Sequence, residues 1–205
     1  MHKLSVTGLA KRFGPRKVFS DISFELQTGQ SLAVVGPNGS GKTTLLLTAL
    51  NRYHPTRGEV VFYRANIRLD EDEVRSCTFL VAPYLYLYDD LTAEENLKFF
   101  ATVAGRSVTG KGIDSLLARV GLERRGMDLV RAYSSGMKQR LKYALALLNE
   151  PEFLFLDEPT ANLDEDGRQI VSRIIDEYRQ KSVVVIATNE REEYDFASDI
   201  CRLDQ

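Results

Sequence analysis

Histidine and cysteine are scarce in this chain, with two of each among 205 residues. Cys77 and Cys201 are too few for a disulfide framework, and both lie in apolar, strand-like runs. They read as buried thiols in a reducing compartment. His2 and His54 leave a His-ligated metal centre without enough ligands. Long apolar runs are missing as well. No stretch approaches the roughly 20 apolar residues of a membrane span. The N-terminal "MHKLSVTGLAKRFG" has no sustained apolar core, so no signal peptide is expected. Nor is there an excess of one charge. A formal net charge of −2 gives no global pull toward nucleic acid or anionic membrane. Two local runs, "KRFGPRK" (11–17) and "LDEDE" (69–73), read as solvated faces rather than binding patches.

What is present is ordinary for a globular chain: 43% hydrophobic and 27% charged residues. The length suits one domain, or one domain with an inserted subdomain. Strand-like runs fall near 4–7, 18–26, 31–35, 59–63, 77–82, 153–157, 183–187 and 200–203. Helical patterns fit 42–51, 92–104, 113–120, 136–149, 165–180 and 190–197. Strands therefore cluster at both ends while 92–149 is almost wholly helical. This pattern predicts an α/β core, mostly parallel, with a helical subdomain inserted in its middle. The stretch "GRSVTGKG" (105–112) reads as a loop between two helices.

The strongest local signal is "SLAVVGPNGSGKTTLLLTAL" (31–50), a buried strand running through a glycine-rich turn into a leucine-rich helix. It satisfies G-x4-G-K-[ST] in the strand–loop–helix context that the pattern requires. Glycines let the backbone curl so that successive N–H groups point inward, and the helix N-terminus completes an anion nest. Lys42 would reach terminal phosphates and the Thr43 hydroxyl would join a Mg²⁺ shell. A second match, Gly105 to Lys111, is a decoy. It is followed by Gly112 rather than a hydroxyl residue, and a helix rather than a strand precedes it.

A second buried strand, "PEFLFLDEPT" (151–160), ends in Asp157 and Glu158. An Asp there can hold Mg²⁺ or its waters, and the adjacent Glu can polarise a water for in-line attack on a γ-phosphate. Taken alone, the stretch could equally be a strand and a turn. "AYSSGMKQRLKYALALL" (132–148) is a polar, glycine-containing opening to a long helix, with Ser134 or Ser135 as a candidate N-cap. A third buried run, "SVVVIATNE" (182–190), delivers Thr188 and Asn189 at its carboxyl end, where open parallel sheets bind ligands.

In this order the elements resemble the ATP-binding cassette family over essentially the whole chain. "GPNGSGKT" resembles its Walker A motif, "FLFLDE" its Walker B and "YSSGM" its signature, most often written LSGGQ. "NLD" (162–164) is similar to the D-loop, and "LTAEENL" (91–97) to the usual opening of the helical subdomain. The resemblance implies a P-loop NTPase core with a mostly parallel sheet and antiparallel N-terminal strands. It implies a single domain over 1–205, with its core at 1–90 and 150–205 and its helical subdomain at about 91–149. ATP would be bound by Gly36, Pro37, Asn38, Gly39, Ser40, Gly41, Lys42, Thr43 and Thr44. Phe13 would stack on adenine, or else be a half-buried aromatic at a strand end. Thr43 and Asp157 would serve Mg²⁺, and Glu158 would be the general base. Ser134 and Gly136 would contact the γ-phosphate of ATP held by a second cassette. One phosphate loop and one signature imply that a partner cassette is needed, most simply a second copy.

Three departures bear on chemistry. The signature has Ser135 and Met137 in place of a glycine and a glutamine, a change of subfamily kind. No glutamine occurs between Gln30 and Gln139, so the family's Q-loop glutamine is absent, and Pro83 stands nearest its place. No histidine follows His54, and Asn189 matches the position of the switch histidine. An amide can still donate to a phosphate oxygen but cannot become cationic. ATP binding with slow hydrolysis is the expectation. Tyr84, Tyr86 and Tyr88 alternate at strand period and would share one face. That face reads as packed on an edge strand or as a contact surface for a membrane subunit. The chain's compact form resembles the ATPase subunits of haem-export-type and related exporters. The expected role is therefore an ATPase that drives an integral membrane transporter subunit from the cytoplasmic face, without nucleic acid. The alternatives are an ATP-gated dimerisation module with little hydrolysis, and a soluble, non-transport cassette.

Overall fold

A computed structural model describes residues 1–203, apart from the side chains of 195 and 196. The chain runs β1 (His2–Phe13), β2 (Arg16–Gln27), β3 (Ser31–Val35), α1 (Lys42–Ala49), β4 (Arg57–Arg64), β5 (Ile67–Arg68), α2 (Glu71–Cys77) and β6 (Thr78–Val81). It continues with α3 (Ala93–Val103), α4 (Gly110–Arg119), α5 (Ser135–Asn149), β7 (Phe153–Asp157), α6 (Glu165–Lys181), β8 (Val183–Thr188) and β9 (Asp199–Arg202). Short 3₁₀ turns occupy Val130–Ala132 and Arg191–Phe196. The helix expected over 190–197 is thus the second of these turns.

Two sheets organise the fold. The antiparallel sheet has the order β2-β1-β4-β5, and the parallel sheet β6-β7-β8-β3-β9. The apolar runs of β3, β7 and β8 are buried at every position, as strands covered on both faces must be. Side chains alternate between two cores. Leu154, Leu156, Val184 and Ile186 pack with the helices α3, α4, α5 and α6. Phe153, Phe155, Val183 and Val185 pack with α1, β1 and β4. The pairing of Val35 with Thr188 and of Asp157 with Ala187 ends β3, β8 and β7 at one level. Three loops therefore leave the sheet side by side.

The acidic run 69–73 is not simply a solvated face. Asp70 caps α2 in a capping box with Glu73, and the first-turn carboxylates oppose the helix dipole. The basic run 11–17 is the hairpin turn between β1 and β2, whose Gly14 has φ 56°. Among the described residues, no helix is long and apolar enough to cross a membrane.

Candidate functional site

The loop after β3 folds back on itself before entering α1. A side chain at Gly36 would come within 2.6 Å of the Leu203 carbonyl oxygen. Gly41 has φ 104°, and a Cβ there would lie 2.4 Å from a Val18 methyl. Only glycine fits both places. Lys42 is buried, and its ammonium donates to the carbonyls of Gly36 (2.9 Å) and Pro37 (3.2 Å). The first turn of α1 holds no acidic residue to offset the positive end of the helix.

This loop forms one wall of a cavity of about 500 Å³. Asn38, Gly39, Gly41, Lys42, Thr43 and Thr44 line it, together with Glu158 and Phe13. Phe13 stands at the end of β1, 49% exposed, with Tyr53 edge-on at 5.9 Å and the Lys11 ammonium 4.9 Å from its ring centre. Arg16 and Val18 also line the cavity. Sequence reasoning missed both, since only the β1–β2 hairpin carries them there.

Asp157 ends β7 with 3% of its surface exposed. The Thr43 hydroxyl donates to its Oδ2 at 2.7 Å, while Oδ1 is buried without a hydrogen-bond partner. Burial pushes this carboxyl above the ordinary carboxylate range, against the opposing pull of Thr43, the Tyr84 hydroxyl and the Lys42 charge. A free carboxylate oxygen beside a hydroxyl suits Mg²⁺, which takes few protein oxygens and completes its shell with water and phosphate. No cluster of three His, Cys, Asp or Glu side chains that could cage a metal occurs among the described residues.

Glu158 follows in the left-handed region, φ 47°, where a non-glycine residue is strained. Its N–H donates to the Ala187 carbonyl at 2.8 Å, which fixes the turn against β8. Asn189 lies just beyond the end of β8 and is exposed. Its amide donates to Asn38 Oδ1 at 3.4 Å, so this residue meets the rim of the phosphate loop. Ser40 turns the other way. Its hydroxyl is buried without a partner and borders a neighbouring cavity, with Arg16, Lys17 and Arg202.

Ser134 and Gly136 are not brought to this cavity. Ser134 is exposed and caps α5 by accepting from the Met137 N–H, and Gly136 approaches the Asn162 carbonyl oxygen. The three tyrosines do not share a strand face either. Strand β6 stops at Val81, two residues before Pro83, which has no N–H for a ladder. Tyr84 faces Asp157, whose charge adds to burial in pushing the phenol upward. Tyr86 and Tyr88 instead meet each other edge-on at 5.6 Å, and Tyr88 meets Phe99 at 4.8 Å. Of the two thiols, Cys77 is buried and Cys201 only half-buried.

Comparison with known proteins gives one answer. A family model described as ABC transporter matches residues 19–161. The chain is 32% identical over 187 residues to the lantibiotic transport ATP-binding protein SrtF of Streptococcus pyogenes, covering 91% of this chain and 79% of that protein. It is 32% identical over 200 residues to ABC transporter A family member 7 of Dictyostelium discoideum, covering 96% of this chain. There it spans only 24% of the relative's length. Among solved structures, a dimeric post-hydrolysis state of the ATP-binding cassette MJ0796 bound to ADP and Pi superposes with a TM-score of 0.83. That match has 25% identity and covers 98% of this chain and 94% of the other. Family model, relatives and fold thus agree, and the chain belongs to the ABC transporter family.

Proposed function

We propose that this chain is the ATP-hydrolysing subunit of a transporter, binding Mg-ATP between two cassettes and driving a separate membrane subunit. The observation that carries the proposal is the meeting of the phosphate loop, the Glu158 turn and the β1–β2 hairpin at one cavity. Lys42 and the loop amides face the same space as Glu158, and Asp157 is tied to Thr43 directly beneath. In this reading Lys42 exchanges its two carbonyl partners for the terminal phosphates, and Phe13 stacks on the base. Thr43 and Asp157 hold Mg²⁺, whose bound charge would neutralise the β- and γ-phosphates. Glu158 orients and deprotonates the attacking water. Asn189, beside Asn38, donates to the γ-phosphate as a neutral group.

A second cassette enters because Ser134 and Gly136 stand away from the cavity of their own chain. The helix end they form offers backbone N–H groups and a serine hydroxyl to an anion outside the chain. The MJ0796 cassette named above is dimeric, which agrees with a pair of identical subunits. SrtF is named for transport, which supports a membrane partner here and a position on the cytoplasmic face. Exposed Tyr86, Tyr88 and Phe99 form the contact surface for that partner. The buried Asn96 amide fixes the segment beneath them, bonding the Tyr88 N–H at 2.9 Å and the Tyr88 carbonyl at 3.0 Å.

The test is phosphate release by the wild type against Glu158→Gln. Turnover abolished by the substitution supports an ATPase. Equal rates would leave only a nucleotide-gated dimerisation module.

A further inference from the structure

The turn that carries Glu158 is held by three separate elements. Ala187 of β8 accepts the Glu158 N–H at 2.8 Å. From α5, the Tyr143 hydroxyl (3.0 Å) and the Gln139 amide (3.4 Å) both donate to the Pro159 carbonyl. The third anchor is Glu193, in the 3₁₀ turn after β8. Its Oε1 accepts both the Thr160 N–H, at 3.0 Å, and the Thr160 hydroxyl. Nothing in the chemistry described above uses this carboxyl.

Glu193 is costly where it stands. It is 3% exposed, and its second oxygen, Oε2, is buried without a hydrogen-bond partner. Burial pushes the carboxyl above its ordinary range, while its bonds from Thr160 and the nearby Thr188 hydroxyl pull the other way. A buried acid with one oxygen unsatisfied is a poor way to fill a core. Both bonds that Oε1 accepts come from Thr160, two residues after a strained Glu158. Strained backbone persists only where its surroundings over-determine it.

We propose that Glu193 is a positioning residue for Glu158. By taking both donors of Thr160, it closes the turn from the side that β8 and α5 leave open. The Glu158 carboxylate is thereby kept at the cavity and not released toward solvent. The inference rests on the reading of Glu158 as general base. It also gives the segment after Asn189 a function that survives the loss of the histidine, because Glu193 acts through Thr160 and not on phosphate.

The test compares Glu193→Leu, Glu193→Gln, Thr160→Val and Thr160→Ser with the wild type and Glu158→Gln, in the full chain. Phosphate release gives kcat and KM, and equilibrium titration with a fluorescent ATP analogue gives affinity. Loss of positioning at a reacting group costs on the order of 100-fold. Glu193→Leu is expected to lower kcat about 10- to 100-fold, with KM and analogue affinity unchanged. Glu193→Gln keeps the accepting oxygen and retains most turnover. Thr160→Val, which removes one donor without changing shape, lowers kcat less, and Thr160→Ser restores it. This second pair carries the test if Glu193→Leu fails to fold. Wild-type kcat in both Glu193→Leu and Thr160→Val would overturn the proposal, as would affinity falling in step with kcat. If Glu158→Gln is inactive while these variants are not, the positioning claim alone fails. If the wild type releases phosphate no faster than Glu158→Gln, the reading of Glu158 fails with it.

Discussion

Replacing Asp157 by asparagine should separate the stability of this protein from its chemistry. The carboxyl is buried, one oxygen is unsatisfied, and burial outweighs its favourable partners. Its folded-state pKa therefore lies above the ordinary 3.8. Between that value and the raised one, the folded chain binds more protons than the unfolded chain. Stability thus falls as pH rises through the window and stays reduced above it. Asparagine removes the charge and still offers an oxygen to the Thr43 hydroxyl. Functional-site stabilisations of this kind fall in the range of about 0.5–2 kcal/mol. For a chain of this size each kcal/mol moves Tm by roughly 2–4 °C, so a rise of roughly 1–8 °C is expected at pH 7. The assay is a thermal scan with a metal chelator and no nucleotide, repeated with ATP analogue and with analogue plus Mg²⁺. A ligand at a hundredfold its Kd stabilises by about 2.7 kcal/mol. In the wild type part of the nucleotide increment should require Mg²⁺, and in Asp157→Asn that part should vanish. The advantage of the variant should narrow as pH falls through that window, because the wild-type carboxyl then takes up its proton as well. A variant less stable than the wild type in chelator, or one that keeps the full Mg²⁺-dependent increment, would refute the reasoning.

Two further substitutions probe the ends of the cavity. Base–aromatic stacking is worth roughly 1–3 kcal/mol. Phe13→Ala should accordingly raise the Kd for ATP about 5- to 150-fold in equilibrium titration, while triphosphate alone competes as before. If the Kd is unchanged, Phe13 serves only to pack on Tyr53. A preorganised donor to a developing charge is worth on the order of 10²–10³ in rate, and a neutral amide at the rim supplies part of that. Asn189→Ala should lower kcat about tenfold and Asn189→His should raise it, each with binding retained. Unchanged turnover in Asn189→Ala would make this residue a strand terminus and nothing more.

The parts of the site that were legible in the sequence are those whose physics is local. Strands β3, β7 and β8 announce themselves as unbroken apolar runs because both their faces are covered. The phosphate loop is legible because glycine, lysine and threonine must stand at fixed spacing. What escaped depends on pairing across the chain. Tyr84 meets Asp157, and Thr160 meets Glu193, only once the sheet is assembled. The tyrosine alternation misled for a local reason, since a period of two means a strand only while the ladder continues, and Pro83 stands where it has stopped. The acidic stretch 69–73 is solvated at Asp70, Glu71 and Asp72, as its charge density suggests, and the spacing of Asp70 and Glu73 adds a capping box.

The central claim is that Glu158 makes this chain an ATPase. Its most direct measurement is steady-state phosphate release with Mg-ATP by the wild type and by Glu158→Gln, with analogue binding followed in both. The account predicts measurable turnover in the wild type, loss of at least 100-fold in the variant, and the same nucleotide affinity. Equal rates in the two proteins would contradict it.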